Sequence, residues 1–137
     1  MNNVLFFLTP KAMCSYLYDD YTLRQALEKM EVSNYTALPI LNRRGEYRGT
    51  LTEGDLLWAL KNMCAMDMRQ AEARRIMEIS RRKDNLPVGI TASMQDLVER
   101  ASHQNFVPVV DDYDSFIGLV TRKAIINYCH DKLFSEK

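Results

Sequence analysis

No excess of either charge marks this sequence. Eighteen Lys and Arg residues balance eighteen Asp and Glu, so the formal net charge is zero. That removes a global field favouring nucleic acid or an anionic membrane; attraction for a polyanion has to come from a local cluster. Long apolar runs are absent too: VLFFL (4–8) is too short to span a bilayer and lacks the basic flank of a secretion signal. Cysteine is scarce and scattered, at Cys14, Cys64 and Cys129, with no C-x-x-C pair. This excludes a disulfide scaffold or a cysteine zinc site and fits a reducing cytoplasm. His103 and His130 have no carboxylate or cysteine at ligand spacing, so no metal site is expected. Asp111, Asp112 and Asp114 lack the glycine and terminal glutamate of a calcium loop and read as a polar hairpin. There is no Gly-rich phosphate loop and no paired acid–base set, which argues against an enzyme.

What the chain has is internal repetition. TLRQALEKM, from Thr22, places Leu23, Ala26, Leu27 and Met30 at helical spacing; SMQDLVERA, from Ser93, does the same with Met94, Leu97, Val98 and Ala101. Thr22 with Gln25, and Ser93 with Asp96, stand as helix caps with their reciprocal partners. A short apolar run centred on proline follows in each half, YTALPIL (35–41) and NFVPVV (105–110). Pro39 to Gly49 and Pro108 to Gly118 are each ten residues, and each glycine is followed three residues later by Thr52 or Thr121. Hairpin-like segments, NRRGE (42–46) and DDYDS (111–115), lie between. Each half therefore reads strand, helix, strand, hairpin, strand, helix, with first strands at SYLY (15–18) and PVGI (87–90). A unit of this size buries too little alone, so two should pack together.

TLTEGD (50–55) invites two readings. Thr52 and Asp55 have the spacing of a capping box, with an acid complementing the helix dipole. The same cap recurs at Thr121, at the carboxyl end of a strand, where open α/β sheets collect ligands and helix N-termini receive phosphate. In LVTRKA (119–124) alanine stands where the aspartate would be, and Arg122 and Lys123 oppose the dipole of their own helix.

TALPIL-x7-GTLTEGD (36–55) and FVPVV-x7-GLVTRKA (106–124) together resemble a tandem pair of cystathionine-β-synthase-type (CBS) domains, the Bateman module. The resemblance implies an α/β fold of two β-α-β-β-α repeats packed about a pseudo-twofold axis. It places repeat 1 at 8–62, a connecting helix and linker at 63–86, and repeat 2 at 87–132. It further implies two clefts that take adenosine-containing ligands. Thr52 and Asp55 match the ribose motif, and Thr36, Ala37 and Pro39 the adenine-side strand beside it. Asn105, Phe106 and Pro108 match that strand in the second repeat, with Thr121 as its hydroxyl and Arg122 and Lys123 on the phosphate side. Lys11, Arg82 and Lys83 lie ahead of the first strands, where cations could reach a ligand. Ala124 departs from the motif and makes the clefts unequal.

The expected function is a cytoplasmic adenine-nucleotide sensor for AMP, ADP or ATP, without chemistry of its own, acting through a change in packing or in affinity for a separate protein. The YTA strand (Tyr35, Thr36, Ala37) beside a Thr-Arg-basic run resembles the arrangement in some bacterial CBS pairs that bind cyclic di-AMP, and this resemblance implies cyclic di-AMP as an alternative ligand; a ligand-free dimerisation or docking module is another alternative. The resemblance implies a homodimer through the repeat helices, with Leu56, Leu57, Trp58, Leu60, Ile125 and Ile126 as apolar surface. Neither nucleic acid nor membrane is an expected partner.

Overall fold

Thr22, Thr52 and Ser93 each begin a helix by a reciprocal capping box: the hydroxyl accepts the amide three residues on, whose side chain accepts the cap's own amide. The fold is seen in a computed structural model of the chain, which describes residues 3–134. It divides into two compact units, Ser15–Asp84 and Met1–Cys14 with Asn85–Lys137.

The Ser15–Asp84 unit runs β2 (Leu17–Tyr18), α2 (Leu23–Ser33), β3 (Ala37–Leu41), β4 (Tyr47–Thr52) and α3 (Glu53–Met63), numbering β1 and α1 in the N-terminal segment described below. Its sheet has the order β2-β3-β4, the first pair parallel and the second antiparallel. Leu17, Leu23, Leu38, Ile40, Leu51 and Leu56 fill its core. In the hairpin, the Asn42 side chain accepts the Arg44 and Glu46 amides, and Gly45 takes a left-handed φ of 88°.

Residues after α3 do not form a free linker. Ala65 and Met66 both adopt left-handed φ and stop the helix. A short α4 (Met68–Glu72) follows, and the chain then returns to α2. The Arg74 carbonyl accepts the Leu23 amide, Ile76 donates to Tyr21, and Arg24 pairs with Glu72. Ala71 and Ile76 are fully buried in this unit's core. Apolar residues thus bind most of the 63–86 segment to the first repeat, so the compact units do not follow the sequence segments.

The second unit contains α1 (Val4–Phe7), β1 (Thr9–Pro10), β5 (Val88–Gly89), α5 (Met94–Ala101), β6 (Phe106–Val110), β7 (Phe116–Thr121) and α6 (Arg122–Phe134). Its sheet has four strands, in the order β1-β7-β6-β5. The additional strand comes from the N-terminus: Thr9 lies opposite Leu119 and Pro10 opposite Gly118. Val4 is fully buried with Val107, Val109, Val120 and Ile125, and Phe7 meets Tyr128 edge-on at 5.0 Å. Residues 8–14 therefore lie in the same compact unit as the strands and helices of 87–132. Asp111 is a turn residue, accepting the Tyr113 and Ser115 amides as Asn42 does in the other hairpin.

The six residues expected to form an apolar face divide by burial. Leu56, Leu60 and Ile125 lie inside their cores, because they point at the sheets; Leu57, Trp58 and Ile126 are exposed. Among the described residues no helix is long and apolar enough to cross a membrane.

Candidate functional site

Proline sets the register at both sites. It has no amide to donate, so Pro39 and Pro108 sit in the wide, non-bonded pairs of their antiparallel ladders, opposite Thr50 and Leu119. Two residues earlier, Ala37 faces Thr52 and Phe106 faces Thr121. The ladders then close identically: Glu53 donates its amide to the Thr36 carbonyl and Arg122 to that of Asn105, both at 2.9 Å. The residues matched to the adenine side and to the hydroxyl are thus neighbours across one strand pair in each repeat. Tyr35, Thr36 and Asn105 are exposed, whereas Pro39, Phe106 and Pro108 are buried.

At the first cap the Asp55 carboxylate is only 4% exposed and already engaged on both oxygens. Its Oδ2 accepts the Thr52 amide at 3.0 Å, and its Oδ1 accepts the backbone amide of Arg82 at 3.0 Å. Thr52 Oγ1 accepts the Asp55 amide at 3.1 Å. The segment carrying Arg82 is fastened again two residues later: Asp84 Oδ1 accepts the Thr50 amide at 2.9 Å and pairs with Arg81 through both carboxylate oxygens, at 2.9 and 3.1 Å. Burial pushes the Asp84 carboxyl up, but the Arg81 guanidinium and the Thr50 amide outweigh it and hold the group below the usual carboxylate range. Arg82 and Lys83 themselves are exposed. Arg81 and Asp84 carry no motif; their only sequence signal is the i, i+3 spacing of opposite charges.

The second cap is built differently. Thr121 Oγ1 accepts the Ala124 amide at 3.0 Å, but Ala124 offers no carboxylate for the amide of Thr121. Arg122 Nε donates to the Ala101 carbonyl at 2.8 Å, closing the C-terminal end of α5. It also lines the groove between α5 and α6 with Val98, Ile125 and Cys129. Lys123 is exposed, and Lys11, itself half-buried, opens an otherwise exposed 3-10 turn beside β1. Two amides unmarked by any motif organise the start of β6. Gln104 accepts the Leu86 amide and donates to the Leu86 and Phe106 carbonyls, and Asn85 also donates to Phe106. Both are buried, and Gln104 reproduces one rung of a β-ladder with its side chain. Among the described residues no three His, Cys, Asp or Glu side chains gather as a metal site.

No curated protein matches the chain. Solved structures match it over nearly its whole length at low identity. CbpB of Listeria monocytogenes, solved in complex with c-di-AMP, is 16% identical, with 98% of this chain and 100% of that chain covered and a TM-score of 0.85. A CBS domain protein from Streptococcus pneumoniae is 22% identical over 95% of this chain and 88% of its own, with a TM-score of 0.82. CBSX2 of Arabidopsis thaliana is 20% identical over 98% of both chains, with a TM-score of 0.78, and has also been solved in complex with AMP. These likenesses establish the α/β fold. The CBS domain model matches twice, over residues 12–62 and 76–131, and the chain accordingly belongs to the CBS-domain family as a tandem pair.

Proposed function

We propose that the chain is a regulatory adenine-nucleotide-binding module that takes AMP, ADP or ATP beside the Thr-capped helices and changes its packing, or its affinity for a separate protein, when it does. The observation that carries this reading is the matched construction of the two repeats: Ala37 against Thr52 and Phe106 against Thr121, each next to an identical closing bond. Exposed Thr36 and Asn105 offer polar groups at the same strand starts. A hydroxyl, a strand backbone and nearby cations form a set suited to ribose, adenine and phosphate. Lys11, Lys123, Arg82 and Lys83 supply the charge, and the action is binding without catalysis in the cytoplasm. Such a switch couples ligand to partner by about 1–3 kcal/mol.

A second reading, a cyclic di-AMP receptor, draws on the exposed Tyr35-Thr36 strand start and on the c-di-AMP complex of the structurally similar CbpB. Calorimetric titration of nucleotide-free protein with AMP, ATP and cyclic di-AMP separates the possibilities. Saturable heat with AMP or ATP supports the main reading, and heat with cyclic di-AMP alone supports the second. No heat with any of them leaves the ligand-free homodimer or docking module as the function.

A further inference from the structure

We infer that residues 81–84 form a strap that shuts the first repeat's Asp55 away from ligands, and that nucleotide reaches this carboxylate only when the strap lifts. The inference rests on the nucleotide-binding reading for its ligand, but not for the strap itself. In the antiparallel ladder of β3 and β4, the amides of Thr50 and Thr52 point away from β3. Both are taken by carboxylates: Thr50 donates to Asp84 and Thr52 to Asp55. Asp84 belongs to the strap, and Asp55 in turn holds the strap through the Arg82 amide. The segment is therefore pinned at two points, by one carboxylate of its own and one of the helix.

Gly49 makes room for this arrangement. A Cβ built there would lie 2.7 Å from Asp84 Oδ1 and 2.9 Å from Arg81 Nη2, so the ion pair rests directly on the glycine. The second repeat covers its equivalent edge otherwise. Gly118 lies beneath the backbone of Thr9 and Pro10, and the edge is closed by β1. A backbone ladder opens only with the strand, whereas the strap is held by side chains and has exposed Arg82 and Lys83 in its middle. Each Asp55 oxygen keeps a second lone pair, but the carboxylate is only 4% exposed with the Arg82 amide on it, so a ribose diol gains an approach only when that amide moves away. Lifting the strap exposes the acceptor and carries two cations with it.

The test is carboxylate labelling with a carbodiimide and an amine, read by mass spectrometry on the full, nucleotide-free chain. In the wild type, Asp55 should be protected relative to exposed Asp112 and Asp114. Asp84→Ala removes the strap's own anchor without touching the cap, and Asp55 labelling should rise about tenfold, the change expected for losing one charge-assisted contact. Arg81→Gln, which leaves Asp84 in place to receive the Thr50 amide, serves as a gentler second variant should Asp84→Ala fold poorly, and should raise labelling in the same direction. Unchanged Asp55 labelling in a folded variant overturns the strap. AMP titration of the same proteins decides the other point. Increased labelling with tighter AMP binding supports gating. Increased labelling with AMP binding unchanged or absent leaves the strap standing and removes Asp55 as the ribose acceptor.

Discussion

Replacing Asp55 with alanine should destabilise the protein even where no nucleotide is present. The carboxylate is 4% exposed and accepts two backbone amides, from Thr52 and Arg82, each at 3.0 Å. Hydrogen bonds to a charged group contribute about 1.5–3 kcal/mol each, and losing a helix cap typically costs about 1 kcal/mol. These terms overlap, because the Thr52 bond is the cap, so the expected loss is about 3 kcal/mol rather than their sum. In a chain of this size that lowers the melting temperature by about 10 °C. Asp55→Asn keeps an oxygen for one amide and loses the charge, so it should fall roughly midway. Urea unfolding of nucleotide-free protein, followed by circular dichroism, measures both. A loss below about 0.5 kcal/mol for the alanine variant would show that these bonds do not hold the cap and strap together. The consequence for ligand work is direct. Weakened nucleotide binding by Asp55→Ala cannot by itself assign a ribose contact, and a thermal shift measured without ligand has to be taken first.

Other perturbations have equally definite outcomes. Ala65 holds a left-handed φ of 49° at the end of α3, so Ala65→Gly should stabilise by about 1 kcal/mol in the same urea assay. Gly118→Ala would drive a Cβ into the Thr9 carbonyl at a φ of 152°, displacing β1; it should cost about 2–4 kcal/mol and accelerate amide exchange in residues 4–9. Gln104→Ala removes a buried side chain that accepts the Leu86 amide and donates to the Leu86 and Phe106 carbonyls, and should cost about 1–3 kcal/mol. Asp84 has a lowered pKa in the fold, so its contribution is present above the unfolded carboxylate pKa of about 3.9 and disappears as pH falls through the folded value. The stability difference between wild type and Asp84→Asn should accordingly be constant near neutrality and close below about pH 4.

Element order was legible because it rests on local signals. Caps at Thr22, Thr52 and Ser93, the proline-centred strands and the two hairpins are each specified within a few residues. Membership of the units was not, because it depends on where short, weakly patterned segments find partners. Thr9–Pro10 has no alternation to mark it as a strand, and becomes one only because the outer edge of β7 is available. Ala71 and Ile76 are single apolar positions in a charged stretch, yet both are fully buried against the first repeat. The site divided in the same way. Thr52–Asp55 was visible as a cap, but its second partner comes from Arg82, 27 residues on, through a backbone amide that no side-chain motif encodes. Arg122 was visible as a cation against its helix dipole; the carbonyl that satisfies it, Ala101, lies on another helix.

The two repeats inherit one geometric problem and solve it by different chemistry. Each places a glycine on its third strand, at Gly49 and Gly118, and each has to cover the strand's outer edge there. In the second repeat a backbone does so, and the cap beyond it can lose its carboxylate: Ala124 costs no strap because none is attached. In the first repeat side chains do so, and the carboxylate at position 55 acquires a second task, holding the Arg82 amide. The aspartate thus stands in the cap that has a strap to hold, and the alanine in the cap whose neighbouring edge is closed by β1. On the strap proposal, a diol that displaces the Arg82 amide from Asp55 would release one of the two anchors of the segment, which is how a ligand would bias it. If the strap is a gate, the alanine-for-aspartate asymmetry places it in the first repeat.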